Sequence, residues 1–261
     1  MVDVGNLFDS SIKQERYTFD LSCNIFFITF GNEKFKNSRE RIINEAKNIG
    51  IFNKCFYETE DIINDEEFVK ALKYKEFRRI FSLCKGFGYW MWKPYIIYKN
   101  LCLLNDNDIL VYCDSGSSFH INPILKLWSK QKFYQYFNEI NNNKGCLSFS
   151  NGSMECEYTK SEVFKYFNVE NNLSIINTDQ REAGFHVIRK CDFTMKIYER
   201  WWTLAKKNPE LFDDSICKVE NNFKENRHDQ SIWSLICKTM EVPLCKDTPS
   251  KRPVRHTRIK N

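Results

Sequence analysis

The chain has 261 residues, a formal net charge of +5 and 42% hydrophobic residues. This length provides one large α/β domain or two small ones, with enough apolar side chains for a sizeable core. The small basic excess does not favour a nucleic-acid partner, and no run approaches the roughly 18 apolar residues of a membrane helix. We therefore expect a globular protein that binds no nucleic acid and has no transmembrane segment.

The cysteine pattern and the first residues bear on location. Eleven cysteines are scattered without a Cys-x-x-Cys pair, and the chain is much longer than a disulfide-stapled mini-domain. Reduced thiols are typical of intracellular proteins. The first residues also lack the basic start and apolar stretch of a signal peptide. The sequence thus predicts a cytoplasmic, reducing location and leaves open a peripheral association with a membrane.

The first predicted elements form a β-α-β unit. Residues 24–30 are a β-rich apolar run that Gly31 ends, residues 35–49 carry apolar side chains at helical spacing, and residues 52–58 read as a second strand. Such a unit opens a doubly wound α/β sheet.

A helix is predicted over residues 65–84, and the loop "GFGYWMWKP" follows at 86–94. Its glycines allow close approach of the backbone to a ligand. Tyr89, Trp90 and Trp92 offer flat faces to a base or a sugar ring, and Lys93 suits a phosphate near the start of the next helix, residues 94–104. The alternative is that the tryptophans belong to the core and Lys93 to the surface.

The run "ILVYC", residues 109–113, is apolar on both faces and predicts a central strand with helices on both sides. It ends in Asp114. Ligands of open α/β sheets bind outside the carboxyl ends of the strands, where a carboxylate can hold Mg²⁺ or Mn²⁺ against a diphosphate. Alternatively, the segment is an ordinary turn in which Asp114 only caps the helix that follows.

The remaining predicted elements complete one domain. They are a helix at 122–141, a strand at 145–149, a helix opened by a capping box at 159–162, a strand at 183–190, a helix at 192–206 and a final helix after residues 226–231. We predict an N-terminal extension (1–22), a single α/β domain (23–245) whose mixed, mainly parallel sheet is flanked by helices, and a basic tail (246–261).

Acids and histidines in the second half supply further candidates. Asp229, in "RHDQS", is either a helix N-cap or a base or nucleophile, and His228 is a candidate metal or phosphate partner. Glu182 is either an acceptor-binding group or a surface acid. Three arginines near His256 either fold over a diphosphate or stay solvated: Arg252, Arg255 and Arg258.

Three blocks taken together, "GFGYWMWKP", "DILVYCDSG" and "NRHDQS", resemble the GT-A class of glycosyltransferases. Their order and spacing are similar to those of a set of uncharacterised sugar transferases from capsule clusters and large DNA viruses, from about residue 24 to residue 240. The resemblance implies a single-domain, Rossmann-like GT-A fold and a nucleotide-sugar donor.

A looser resemblance is to the retaining, glycogenin-like transferases, on "YCDSG", "EAG" and "HDQ" in the same order. It implies that Asp114 binds the metal, that Glu182 faces the acceptor or donor sugar, and that Asp229 and Gln230 lie beside the anomeric carbon. With the residues above, the candidate donor-binding set is Thr29, Phe30, Gly31, Tyr89, Trp90, Trp92, Lys93, Asp114, Ser115, Gly116 and Arg255. The candidate metal ligands are Asp114, His228 and His256.

The chain departs from that family at two positions, because Gly116 replaces the second acid of the DxD pattern and Glu182 replaces an asparagine. Either donor phosphates and a histidine complete the metal shell, or basic residues replace the metal. Inverting and retaining chemistry both remain open.

We therefore predict a hexosyl- or pentosyltransferase that uses Mn²⁺ or Mg²⁺. Its donor is a UDP-, GDP- or dTDP-sugar, and its acceptor is a hydroxyl of a glycan, a lipid-linked sugar or a protein. The alternative is a catalytically inactive nucleotide- or glycan-binding module of the same fold.

Overall fold

The computed structural model describes residues 22–71, 84–120, 122–215 and 222–257. Its strands are β1 (Ile25–Phe30), β2 (Lys54–Glu58), β3 (Ile109–Cys113), β4 (Ser118–Phe119), β5 (Cys146–Leu147), β6 (Ser150–Met154), β7 (Asp179–Arg181), β8 (Phe185–Arg189) and β9 (Val254–Arg255).

Helices connect most of these strands along the chain. They are α1 (Lys36–Ile49), α2 (Glu66–Ala71), α3 (Gly86–Tyr89), α4 (Trp92–Leu103), α5 (Pro123–Asn142), α6 (Glu155–Tyr158), α7 (Ser161–Tyr166), α8 (Leu173–Ile176), α9 (Asp192–Lys207) and α10 (Asp229–Thr239). Short 3-10 turns cover Glu33–Phe35, Glu60–Asn64, Pro209–Leu211 and Pro249–Lys251.

The main sheet has five strands in the order β2-β1-β3-β8-β5. Strand β1 pairs in parallel with β2 and β3, whereas β8 is antiparallel to both β3 and β5. Four strands therefore run in one direction and only β8 opposes them. The observed α/β architecture, with a mixed and mainly parallel sheet flanked by helices, confirms the predicted fold class.

The core lies in two layers, one on each face of this sheet. On one face, Phe27 and Val111 pack with residues of α1 and α5, such as Ile42 and Phe137. On the other face, the sheet packs against α4, α9 and α10. All five residues of β3 are buried, because this strand has a neighbour on either edge and a helical layer on either face.

Most predicted elements appear where local pattern placed them. Of the helix predicted at 65–84, Glu66–Ala71 is observed and residues 72–83 lie outside the described part of the chain. The prediction of a capping box at residues 159–162 is wrong. Helix α7 does form, but its N-cap is Lys160 without a side-chain cap, because the Thr159 hydroxyl donates to Glu155 instead.

Two small sheets were not predicted. Strands β6 and β7 pair with each other, and β4 pairs with β9, which places Ser118 opposite Arg255. The second pairing holds part of the predicted basic tail against the segment that follows Asp114. Arg258 lies outside the described residues.

The described residues also bear on the state of the cysteines and on membrane-spanning helices. The cysteines within them are all free thiols. None of the helices in this part of the chain combines the length and the apolar character needed to span a bilayer.

Candidate active site

A buried lysine lies between two carboxylates at the carboxyl end of β3. The ammonium nitrogen Nζ of Lys93 is 2.7 Å from Oδ2 of Asp229 and 3.1 Å from Oδ1 of Asp114. Only 3% of the Lys93 side chain is exposed, and its predicted contact with a donor phosphate stays a prediction. Burial lowers the pKa of Lys93, but the two carboxylates outweigh it and raise that pKa above its ordinary value. Lys93 is therefore charged and holds the two acids together.

The side chain of Asp114 remains partly accessible to solvent. Its side chain is 39% exposed, although Oδ1 accepts a hydrogen bond of 2.6 Å from the Tyr112 hydroxyl as well as pairing with Lys93. Burial raises the pKa of Asp114, but Lys93 and Tyr112 reverse this and lower it below its ordinary value. Asp114 is thus an ionised carboxylate with one oxygen held and one side open.

Asp229 differs from Asp114 in its protonation behaviour. It is the first residue of α10, and its side chain is almost completely buried. Burial raises the pKa of Asp229 to about 6, although the ion pair with Lys93 opposes the change. The two acids of one assembly therefore titrate in different ranges, an arrangement that occurs where one group holds charge and the other exchanges a proton.

The turn after β3 is fixed on several sides. The backbone N–H of Asp114 donates to Gly184 and that of Ser117 donates to Asp114, both at 2.9 Å. The carbonyl of Ser115 accepts from Arg41, and that of Gly116 accepts from Thr257. Ser115 and Gly116 thus contribute backbone groups to a turn that directs the Asp114 side chain towards Lys93.

A second cluster lies beside the first. Glu182 accepts from Arg252 at 2.8 Å, and its other oxygen is 3.3 Å from Nε2 of His256. The second ring nitrogen of His256, Nδ1, is 2.9 Å from the Ser117 hydroxyl. Burial lowers the pKa of His256, but Glu182 and Asp114 raise it above its ordinary value. Glu182 is therefore committed to two cationic partners.

Gly184 separates the two clusters. A Cβ at this position would lie 3.0 Å from Oδ2 of Asp114 and 3.3 Å from Cε1 of His256. The absence of a side chain leaves a small cradle between a carboxylate and an imidazole. This is the place in the described structure where the donor set suits a divalent cation.

The cradle offers Mg²⁺ or Mn²⁺ one carboxylate, Asp114, and the edge of the His256 ring, which presents Cε1 rather than a free nitrogen to Gly184. Such ions commonly take one or two carboxylates and complete their shell with phosphates and waters. His256 can keep its Nδ1 bond to Ser117, but its Nε2 has to leave Glu182 and lose its proton before it can bind the ion. Within the described residues, no group of three or more His, Cys, Asp or Glu side chains forms a complete metal site.

His228 lies in a different setting from the other candidate ligands. Its Nδ1 donates to the carbonyl of Phe212 at 2.7 Å, and its Nε2 is 3.5 Å from Asp214. The ring stacks on Trp90 with centroids 5.3 Å apart and also contacts Tyr89. Burial lowers the pKa of His228. These contacts direct its nitrogens to the loop around residues 212–214.

The aromatic loop is held in a strained conformation. Five successive residues, 86–90, have positive φ angles between 53° and 82°. L-residues in this region each cost roughly 1–2 kcal/mol, and such strain is concentrated at functional sites. Gly86 is required, because a Cβ there would lie 2.3 Å from the Trp90 ring. The strained turn holds Tyr89 and Trp90 half-buried against His228.

Other residues that were predicted to bind the sugar donor lie in the core. Trp92 is buried, donates to the carbonyl of Gly86 and stacks on Phe30 with centroids 3.7 Å apart. The hydroxyl of buried Thr29 donates to Cys113, which links β1 to β3. The backbone N–H of Gly31 donates to Glu58. A ligand-binding role for these residues stays a prediction.

Gln230 and Arg255 complete the predicted set. The Gln230 side chain donates to Gln180, whose own amide donates to Thr159 and Ser231. Gln230 thus lies at one end of a buried polar network behind Asp229. Arg255 is exposed on β9.

Tyr112 and Gly184 were not among the predicted site residues. Tyr112 had a detectable signal, because side chains two apart on a strand point to the same face and Tyr112 precedes Asp114 by two. Gly184 had none, because its role depends on His256, which is far away in sequence.

The chain is similar in fold to several proteins of known structure. No protein-family model and no curated protein matches the chain. One similar structure is a glycosyltransferase involved in glycosylation of the major capsid of PBCV-1: it is 11% identical, the match covers 71% of this chain and 69% of that one, and the TM-score is 0.38.

Two other similar structures are also glycosyltransferases. Mouse xyloside xylosyltransferase 1 is 10% identical over 85% of this chain and 84% of its own, with a TM-score of 0.43. The glycosyltransferase GlyE of Streptococcus pneumoniae TIGR4 is 11% identical over 86% of this chain and 46% of its own, with a TM-score of 0.42. All three TM-scores are below 0.5, and all three identities are 11% or less.

Proposed function

We propose that this chain is a glycosyltransferase that moves a sugar from a nucleotide-diphosphate sugar to a hydroxyl group. The observation that carries the proposal is the buried assembly of Lys93, Asp114 and Asp229 at the carboxyl end of the central strand. An ammonium between two acids is expensive to bury, and it is retained where a site needs charges at fixed positions.

In this proposal, Asp114 holds a divalent cation that offsets negative charge on the leaving diphosphate, and His256 joins the shell of the ion only when its Nε2 leaves Glu182. Lys93 and Tyr112 hold the Asp114 carboxylate in one orientation, so that its open oxygen faces the cradle over Gly184. Arg255, exposed on the neighbouring strand β9, offers a further positive charge to phosphate oxygens.

Asp229 is the acid best suited to act on the reacting atoms. A pKa of about 6 leaves it mostly ionised at neutral pH and still able to take up a proton. Glu182 is less suited, because Arg252 and His256 already occupy its oxygens. We therefore assign to Glu182 the positioning of His256, and to Asp229 the role of base in an inverting reaction or of nucleophile in a retaining one.

The proposed substrates are a nucleotide sugar and a molecule with a free hydroxyl group. The donor is a UDP-, GDP- or dTDP-activated hexose or pentose, whose base or sugar can stack on the half-buried faces of Tyr89 and Trp90. The acceptor is a hydroxyl of a glycan, a lipid-linked sugar or a protein.

The test is to incubate the protein with a panel of nucleotide sugars and Mn²⁺ and to measure released nucleoside diphosphate. We expect release with at least one donor, and loss of release in Asp114→Asn and Asp229→Asn. Asp106→Asn is the matched control, since Asp106 is an exposed acid near the opposite end of β3. Nucleotide binding without turnover would instead identify an inactive binding module. Absence of both binding and release with every donor would refute the proposal.

A further inference from the structure

The first turn of α5 exposes several apolar side chains at the protein surface. Ile124 is 69% exposed and Leu127 is 60% exposed. Leu125 is exposed between them, and Trp128 is partly exposed beside them. Four neighbouring apolar side chains at the surface form a patch, and such patches mark surfaces that bind something.

The charged side chains of the segment that carries this patch have one sign. From residue 117 to residue 138 the sequence contains no Asp or Glu. Lys126 directs its ammonium to the neutral amide of Asn48, and Lys130 lies over the Tyr134 ring. Within the described residues, neither lysine pairs with a carboxylate, whereas Lys132, one turn further from the patch, is neutralised by Asp247. The exposed turn is therefore apolar and positively charged.

The patch and the candidate active site are parts of one continuous segment. Asp114 and Ser117 lie at one end of it, and strand β4 follows. The His120 ring then contacts the Trp128 ring edge-on, with centroids 5.6 Å apart. Strand β4 also pairs with β9, which carries Arg255. The patch therefore lies on the segment that leads away from Asp114.

We propose that the first turn of α5 docks the protein on an anionic lipid bilayer. The aliphatic side chains and the tryptophan can enter the headgroup region while the two lysines beside them face acidic lipids. A second copy of the chain is a poorer occupant. A two-fold contact would bring the same uncompensated lysines together, and four side chains are too few for a stable dimer interface.

The test is sedimentation of the purified protein with vesicles of phosphatidylcholine, with and without phosphatidylglycerol. We expect binding to the anionic vesicles that weakens as salt is raised. The double variant Ile124→Ser/Leu127→Ser should bind roughly tenfold more weakly, since it removes two inserted aliphatic groups. Lys126→Gln/Lys130→Gln should reduce the preference for phosphatidylglycerol.

The matched control is Leu103→Ser/Leu173→Ser, which removes two leucines that are 74% and 67% exposed elsewhere on the molecule. This control should bind vesicles like the wild type. The proposal is overturned if the wild type stays in the supernatant with anionic vesicles, or if the control loses as much binding as the patch variant. The measurement needs no sugar donor, so it is independent of the proposed transferase activity.

Discussion

The ammonium of Lys93 lies 2.7 Å from the carboxylate of Asp229, and both side chains are almost fully buried. Lys93 belongs to the first turn of α4, and Asp229 opens α10. The ion pair therefore ties together two helices on the same face of the sheet, directly behind Asp114.

Removing this lysine tests how far the assembly depends on it. Lys93→Met leaves the buried acid Asp229 without its partner, and breaking a buried pair typically costs 3–5 kcal/mol. We expect a loss of about 3 kcal/mol in the free energy of unfolding, at the lower end because Asp114 remains partly solvated. Urea denaturation measures the loss. The control is Lys70→Met, whose pair with Glu66 has a similar distance of 2.8 Å but is exposed. It should change stability by less than about 0.5 kcal/mol, and equal effects of the two variants would contradict the prediction.

The raised pKa of Asp229 predicts a pH dependence of stability. In the folded protein the pKa is about 6, above the value of about 3.9 for an unfolded aspartate. The folded state therefore binds this proton more tightly, so the contribution of Asp229 to stability is full below about pH 4 and is lost as pH rises through about 6. The unfolding free energy of the wild type minus that of Asp229→Asn should fall by about 3 kcal/mol across this window. A difference that stays level, or that rises, would show that the pKa is not raised.

Gly184→Ala tests the cradle between Asp114 and His256. The new methyl group would lie 3.0 Å from Oδ2 of Asp114, inside normal contact distance. The backbone of Gly184 does not need positive φ, so we expect a stability change of at most about 1 kcal/mol. Binding of Mn²⁺ in the presence of UDP, followed by electron paramagnetic resonance, should weaken at least roughly tenfold, equivalent to about 1.4 kcal/mol. Unchanged Mn²⁺ binding would remove the cradle as the cation site.

Arg252 should hold the C-terminal segment on the domain. It is 1% exposed, pairs with Glu182 and donates to the carbonyl of Ser150 at 2.6 Å. Arg252→Met leaves Glu182 buried without this partner, and we expect a loss of about 3 kcal/mol and faster tryptic cleavage after Arg255. Arg252→Lys should restore part of the stability. Arg255→Met, at an exposed arginine on β9 in the same C-terminal segment, is the stability control and should leave the unfolding free energy almost unchanged.

Much of the secondary structure could be predicted from the local pattern of apolar residues. The apolar runs at 24–30 and 109–113 correspond to β1 and β3, and the helical spacing at 35–49 corresponds to α1. Side-chain periodicity is set by the geometry of each element, so it can be recognised within a short window. The smaller strands β4 and β9 are two residues long and carry no such pattern.

The sequence also identified candidate site residues, but it did not identify the side chains with which they interact. Sequence reasoning singled out Lys93, Asp114 and Asp229 in three separate motifs and gave Lys93 a phosphate-binding role. The structure buries that ammonium between the two acids, with 3% of the side chain exposed. Burial and charge pairing depend on which elements pack together, and no local pattern encodes that choice.

By itself, the sequence determined the element types, the mainly parallel α/β sheet and the acid at the end of its central strand, because apolar periodicity and strand-end chemistry are local properties. Only the tertiary structure decided that Lys93 joins Asp114 to Asp229, that Glu182 is neutralised by Arg252 and His256, and that the first turn of α5 is left uncovered. These facts depend on long-range packing, which sets the solvent exposure and the charged neighbours of every side chain at once.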